Sequence, residues 1–70
     1  MTVKDIARLS GAELNTVRSY VTRGYIVPEQ AHGRGVAASF DPGAAGRAIA
    51  VLKLVQAGFR PDVASEMVYQ

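Results

Sequence analysis

The sequence contains no cysteine, no tryptophan and a single histidine, His32. Without cysteine the chain forms no disulfide and has no thiolate nucleophile and no cysteine-bound zinc or iron–sulfur site. A lone histidine argues against clustered histidine ligands and a Ser-His-Asp relay, and the acidic residues show no paired spacing for acid–base catalysis. We therefore expect no enzyme activity, no metal and no cofactor. The absence of cysteine fits a reducing, cytoplasmic location.

Long apolar runs, a signal peptide, internal repeats and low-complexity tracts are also missing, so we expect no membrane partner. The 70 residues carry 8 basic and 6 acidic side chains, a net charge of +2. A chain of this length forms a single small domain, which buries roughly 60% of the surface that the unfolded chain exposes. Residues 1–35 hold five of the basic groups and three of the acidic ones. This basic excess in the first half is a weak indication of an anionic partner.

The first predicted helix covers about residues 3–9. Thr2 is placed to accept a hydrogen bond from the backbone of Asp5, and the Asp5 carboxylate lies in the first turn, where the helix dipole favours an acid. Ser10-Gly11 interrupts the apolar periodicity, because glycine readily adopts the left-handed conformation that ends a helix. The sequence thus predicts a short helix followed by a tight turn.

A second helix is predicted over about residues 13–23, with Gly24 as the residue that ends it. Apolar residues recur on one face of this helix, namely Leu14, Val17, Tyr20 and Val21. Two short helices joined by a tight glycine turn are typical of a helix-turn-helix, here about residues 3–24.

Residues 25–40 are predicted to form a small β-wing. Tyr25-Ile26-Val27 has the character of a short extended segment that is ended by Pro28. Gly33-Arg34-Gly35 places a glycine-flanked arginine at the tip of a hairpin, although neither flank alternates cleanly between apolar and polar residues. Phe40 is the apolar residue at the return of the chain to a helix.

Two supporting helices complete the predicted fold. Asp41-Pro42 combines a preferred N-cap residue with proline at the first helical position, and it opens a helix over about residues 42–57 that ends at Gly58. Pro61 opens the last helix, about residues 61–69. The expected inward residues of the two helices are Ala45, Ala48, Ile49, Leu52 and Val55, and Val63, Ala64, Met67 and Val68. The fold class is therefore mainly α with a small β-wing, a winged helix-turn-helix with four short helices.

The longer supporting helix also carries Val51 and Leu54, which widen its apolar surface beyond one stripe. Packing against both the helix-turn-helix and the last helix is one explanation, and a surface for a protein partner is the other. The second explanation leads to an alternative function, a winged-helix module that binds a protein of the chaperone or cell-division type.

The second helix has an outer face without acidic residues. On a helical wheel Asn15, Ser19 and Thr22 lie opposite the core face and are flanked by two arginines. Asparagine pairs with adenine, arginine with guanine or phosphate, and serine or threonine with either. This composition favours the recognition of double-stranded DNA, and an ordinary solvated helix face is the alternative. The candidate DNA contacts on this helix are Asn15, Thr16, Arg18, Ser19, Tyr20, Thr22 and Arg23.

Candidate contacts with the DNA backbone lie outside the second helix. Arg34 stands between two glycines, so its backbone is free to approach a phosphate and its guanidinium to enter the minor groove. His32 lies beside it, within reach of a phosphate. Lys4 and Arg8 are one turn apart on the first helix, a spacing suited to clamping the DNA backbone. For each of these residues a solvated side chain is the alternative.

The segment from Val3 to Pro28, VKDIARLSGAELNTVRSYVTRGYIVP, resembles the N-terminal helix-turn-helix of MerR-type transcription regulators. The family pattern is an Ile/Val-x-x-x-Ala helix, a small-Gly turn and a Leu-Arg-x-Tyr recognition helix that ends in Gly-Leu. The corresponding residues here are Ala7, Gly11, Val17, Arg18, Tyr20, Gly24 and Tyr25-Ile26. The resemblance continues through Phe40-Asp41 to Ala57-Gly58-Phe59, so it covers nearly the whole chain.

This resemblance implies a DNA-binding regulator with its recognition helix in the major groove and the wing, about residues 31–39, over the backbone or the minor groove. It implies that Arg18 is the DNA-contacting arginine and Tyr20 the tyrosine near phosphate. The chain departs from the family pattern at two places. The family usually has a second aromatic residue where Ser19 stands and an arginine pair where Ala38-Ser39 stands, which leaves Arg34 to supply the wing contacts.

The regulators that this chain resembles normally continue into a dimerising coiled coil and often an effector domain. A chain that ends at Gln70 supplies neither, so we expect no small-molecule effector on it. Short phage and plasmid proteins, such as excisionases and small terminase subunits, are similar and give a further alternative, a DNA-architectural protein. We expect a DNA-binding protein of this kind in the cytoplasm, at the nucleoid. One recognition helix covers few base pairs, so we also expect a homodimer or binding to tandem sites.

Overall fold

The computed structural model describes residues 1–28 and 39–70. These residues form four helices, α1 Val3–Ser10, α2 Leu14–Arg23, α3 Pro42–Gln56 and α4 Pro61–Tyr69. Every helix predicted from the sequence is present, and each end agrees with the prediction to within one residue. The mainly helical fold class is thereby confirmed.

The β-wing predicted for about residues 25–40 falls largely on residues 29–38, which lie outside the described residues. The described part of the chain contains no strand. Tyr25 and Ile26 were expected to be extended, but their backbone N–H groups both turn back to the carbonyl oxygen of Tyr20, at 2.9 and 3.3 Å. The prediction of an extended segment is therefore wrong for Tyr25 and Ile26, because their amides form hydrogen bonds to the last turn of α2.

A reciprocal pair of hydrogen bonds caps the N-terminus of α1. The Thr2 backbone N–H donates to Asp5 Oδ2 at 3.0 Å, and the Asp5 backbone N–H donates to Thr2 Oγ1 at 3.4 Å. Each bond satisfies a backbone donor that has no partner inside the helix. The cap predicted from the sequence is confirmed.

Glycine ends both helices of the helix-turn-helix. Gly11 follows α1 with a φ of +78°, and Gly24 follows α2 with a φ of +83°. Residues with a side chain are disfavoured in this left-handed conformation, so both positions favour glycine. The buried Ser10 side chain completes the first turn, because its hydroxyl donates to the Ala7 carbonyl and accepts from the Ala12 backbone N–H.

The core lies around α3, which packs against both α1 and α4, while α1 packs against α2. Asp41 opens α3 by accepting a hydrogen bond on Oδ1 from the Ala44 backbone N–H at 2.7 Å. The other end closes as predicted near Gly58, where Phe59 donates to the Leu54 carbonyl and Gly58 to the Val55 carbonyl. Side chains with no exposed surface are Ile6, Val17, Ile26, Ala48, Val51 and Ala64.

Of two predicted helix faces, one agrees with the structure and one needs correction. Val51 is fully buried and Leu54 half-buried, which agrees with packing on two neighbours and leaves Val51 no surface with which to bind a protein partner. Val63 and Met67 were expected to face inward on α4, but they are 38% and 53% exposed. Of the four residues expected to face inward on α4, Ala64 and Val68 do so. The small Ala64 side chain allows close packing at the interface where α4 meets α3.

Candidate nucleic-acid interface

The candidate interface is the outer face of α2. Asn15, Arg18 and Thr22 are solvent-exposed and recur every three or four residues, so they share one side of the helix. Ser19 lies between them and is half-buried, and Arg23 is exposed at the C-terminal end. The structure therefore brings together the polar and basic residues that the sequence assigned to this face.

The opposite face of α2 anchors the helix in the core. The Val17 side chain has no exposed surface, and Leu14 and Val21 pack against the core on either side of it. At the C-terminus the Gly24 backbone N–H donates to the Val21 carbonyl at 3.2 Å, and Tyr20 supplies the carbonyl for the next two amides. The outer side chains are thus presented by a helix whose position and end are fixed.

The arginines of this face form no ion pair with an acid of the part of the chain that the structure describes. Within residues 1–28 and 39–70 the ion pairs are Arg8–Asp5 and Arg60–Asp62, so neither uses Arg18 or Arg23. An arginine held without an intramolecular partner keeps its planar donor fork free for a guanine edge or a phosphate. Among the described residues, no acid pairs with the arginines of this face, which offers hydrogen-bond donors and positive charge.

Helix α1 carries two cations, and within residues 1–28 and 39–70 Arg8 is the one that forms an ion pair. Lys4 is exposed, whereas Arg8 donates to Asp5 Oδ1 at 3.3 Å. The Thr2 backbone N–H, with help from the Thr2 hydroxyl and the Arg8 charge, holds the pKa of Asp5 below its ordinary value of 3.8. Of the two residues predicted to clamp the DNA backbone, Lys4 and Arg8, Arg8 is therefore paired with an acid of its own helix.

Tyr20 and Thr16 lie on the side of α2 that approaches α3. Both are half-buried and line a shallow groove of about 370 Å³ that also includes Glu13. The Tyr20 ring contacts the Tyr25 ring edge-to-face, with centroids 5.5 Å apart. Tyr20 and Tyr25 are both half-buried, so each ring has one part of its surface in the packed interior and one part exposed.

His32 and Arg34, the candidate contacts in the predicted wing, fall within residues 29–38, outside the described residues. In the part of the chain that the structure does describe, no three histidine, cysteine or carboxylate groups lie together in a way that would hold a metal ion. None of the four described helices has both the length and the apolar character needed to cross a membrane.

One long-range contact near this interface was missed by reasoning from the sequence. The hydroxyl oxygen of Tyr69, in the last turn of α4, accepts a hydrogen bond from the Val27 backbone N–H at 3.1 Å. The two residues are 42 positions apart, so no local spacing could have indicated the contact. It joins α4 to the segment that follows α2.

The comparison with protein families gives one result for the chain. A model described as MerR HTH family regulatory protein matches residues 1–70. No curated protein and no solved structure matches the chain. The family match confirms the resemblance that the motifs from Ala7 to Phe59 indicated.

Proposed function

Because the chain belongs to the MerR family of helix-turn-helix regulatory proteins, we propose that it regulates transcription by sequence-specific binding to double-stranded DNA. One observation supports this proposal above the others. Helix α2 exposes polar and basic side chains without a single acid on its outer face, while Val17 fixes its inner face in the core. A surface of this composition is suited to base edges and phosphates.

Helix α2 enters the major groove in this proposal. Arg18 lies near the middle of the helix and donates to the O6 and N7 atoms of guanine, the commonest specific contact of arginine. Asn15, one turn earlier, pairs with the N6 and N7 atoms of adenine. Ser19 and Thr22 complete the set of side chains at the base edges.

The phosphate contacts surround this helix. Arg23 lies at the C-terminal end of α2 and Lys4 on α1, and both are exposed. Tyr20 and Thr16 donate their hydroxyls from the rim of the same helix. Arg34 and His32 of the wing take the adjacent backbone or minor groove, with Arg34 in place of the arginine pair that other members carry. These contacts orient the protein on the duplex and supply most of the affinity.

One recognition helix reads only a few base pairs, so we propose that two copies bind adjacent half-sites, as a homodimer or on tandem sites. Half-sites on one side of the duplex lie about 34–36 Å apart, one turn of DNA. A DNA target places the protein in the cytoplasm, at the nucleoid.

The proposal is tested by selecting duplexes from a random-sequence pool and measuring affinity by fluorescence anisotropy. We expect the selection to converge on one short motif, and the affinity for it to exceed that for a scrambled duplex by about 10³-fold or more. Raising the salt concentration from about 50 to 200 mM should weaken binding to both duplexes. The slope of log affinity against log salt concentration is set by the number of phosphate contacts. A pool that does not converge, or binding that is insensitive to salt, would overturn the proposal.

A further inference from the structure

Tyr69, in the last turn of α4, is hydrogen-bonded to the segment that leaves the recognition helix. Its hydroxyl oxygen accepts from the Val27 backbone N–H at 3.1 Å. Because the two residues are 42 positions apart, this contact ties α4 to the connection between α2 and α3.

The position of the bond along the chain gives it a specific role. The backbone N–H groups of Tyr25 and Ile26 both donate to the Tyr20 carbonyl, so these two residues are held by the end of α2 itself. The next amide belongs to Val27, and Pro28 has no amide hydrogen to donate. Tyr69 therefore accepts from the last backbone donor before the chain passes beyond Pro28.

The burial of the neighbouring side chains supports the same role. Ile26 is fully buried, whereas Val27 is 51% exposed and so gains little from packing. The Tyr69 ring lines a groove of about 440 Å³ together with Pro28 and Arg47, which places the ring beside the backbone that its hydroxyl holds. Ile26 anchors the segment in the core, and the hydroxyl of Tyr69 orients the residue beyond that anchor.

We infer that Tyr69 is a positioning residue for DNA binding. Its hydroxyl fixes the direction in which the chain leaves α2 and thereby couples the end of α4 to the DNA-binding face. This inference rests on the proposed function, and it requires no contact between Tyr69 and DNA. Any partner or change that displaces the end of α4 should then alter DNA affinity from a distance.

The variant Tyr69→Phe tests this inference, because it removes one oxygen atom and keeps the ring. Both proteins are compared at a temperature where circular dichroism shows each to be fully folded. We expect the Val27 amide to exchange with solvent several-fold faster in the variant, as seen by NMR. The Kd for the selected duplex should rise about 3- to 10-fold, the equivalent of one hydrogen bond at a solvated site.

Met67→Ala is the matched control, since Met67 lies on the same helix, is 53% exposed and is one of the residues that the structure leaves outside the core. It should leave both the Val27 exchange rate and the Kd unchanged. A Tyr69→Phe protein that exchanges Val27 faster but binds DNA as tightly as the wild type would show that the bond serves stability alone, and would overturn the inference. An unchanged Val27 exchange rate would overturn it as well. If the wild-type protein binds no duplex, the proposed function itself is wrong. Failure of the proposed function is therefore distinguishable from failure of the inference about Tyr69.

Discussion

Gln56 donates a hydrogen bond from Nε2 to the backbone carbonyl oxygen of Ser10 at 2.9 Å, joining the last residue of α3 to the last residue of α1. The carbonyls at a helix C-terminus have no partner inside the helix, so this bond satisfies a group that would otherwise need water. Ser10 precedes the turn of the helix-turn-helix, and Gln56 therefore holds that turn, and with it the start of α2, against the central helix.

Replacement of Gln56 by alanine should destabilise the fold without altering its helices. Loss of one partly buried hydrogen bond lowers the free energy of unfolding by about 1 kcal/mol. In a domain of this size that change lowers the Tm by roughly 4–8 °C. Thermal unfolding followed by circular dichroism measures it, with Lys53→Ala, an exposed change on the same helix, as control. Equal Tm values for the two variants would argue against the role of Gln56.

Two glycine-to-alanine changes should act in opposite directions. Gly24 has a φ of +83°, which an alanine adopts only with strain, so Gly24→Ala should lower the free energy of unfolding by about 1–2 kcal/mol. Gly46 lies inside α3 with open space where a Cβ would stand. Gly46→Ala should therefore raise the free energy of unfolding by about 0.5–1 kcal/mol, because alanine is the better helix former. Urea titrations measure both, and effects of the same sign would contradict the account.

The N-termini of α1 and α3 were predictable from the sequence because each is capped by a residue three positions away. Thr2 and Asp5 form their reciprocal bonds within one turn, and Asp41 caps α3 through the amide of Ala44. The outer face of α2 was predictable for a similar reason, since a single apolar row defines where its core side lies.

Contacts between distant residues could not be predicted in this way. Helix α4 has two apolar rows, Val63 with Met67 and Ala64 with Val68, and either row could face α3 by local spacing alone. Only the packing of α3 against α4 selects the row with Ala64. The bond from Val27 to Tyr69 depends on the same packing, because that packing sets where the end of α4 lies.

The corrected face of α4 leads to a prediction about stability. Leu52 is 2% exposed and Met67 is 53% exposed, although the sequence favoured an inward position for both. Leu52→Ala should lower the free energy of unfolding by about 2–5 kcal/mol, because it leaves a cavity in the core. A loss of this size is enough to unfold much of a domain this small. Met67→Ala should change the free energy of unfolding by less than about 0.5 kcal/mol, as at other surface positions. Comparable losses in chemical denaturation would mean that Met67 is buried after all.

Asp5 predicts a dependence of stability on pH. Its pKa is lowered in the folded protein, mainly by the Thr2 backbone N–H, so its carboxylate adds stability above its ordinary pKa of 3.8. That contribution is lost as the pH falls through the lowered pKa of the folded state. Asp5→Asn should therefore reduce the Tm near about pH 7 and make a smaller difference at a pH below the lowered pKa of the folded state, where the wild-type carboxylate is protonated as well. The same Tm difference at both pH values would contradict the role assigned to the charge.

The central claim, that the outer face of α2 binds DNA, is tested most directly by comparing Arg18→Ala with Arg60→Ala on the selected duplex. Both variants lose one positive charge, but Arg18 has no acidic partner in the described chain, whereas Arg60 donates to Asp62 at 3.2 Å on α4. Arg18→Ala should weaken binding by roughly 10-fold or more, as expected for a guanine contact worth about 1–3 kcal/mol, and should relax the sequence preference at one position. Arg60→Ala should leave the Kd within about twofold, because an exposed ion pair contributes little. Equal losses of affinity in the two variants, or no loss in Arg18→Ala, would contradict the account.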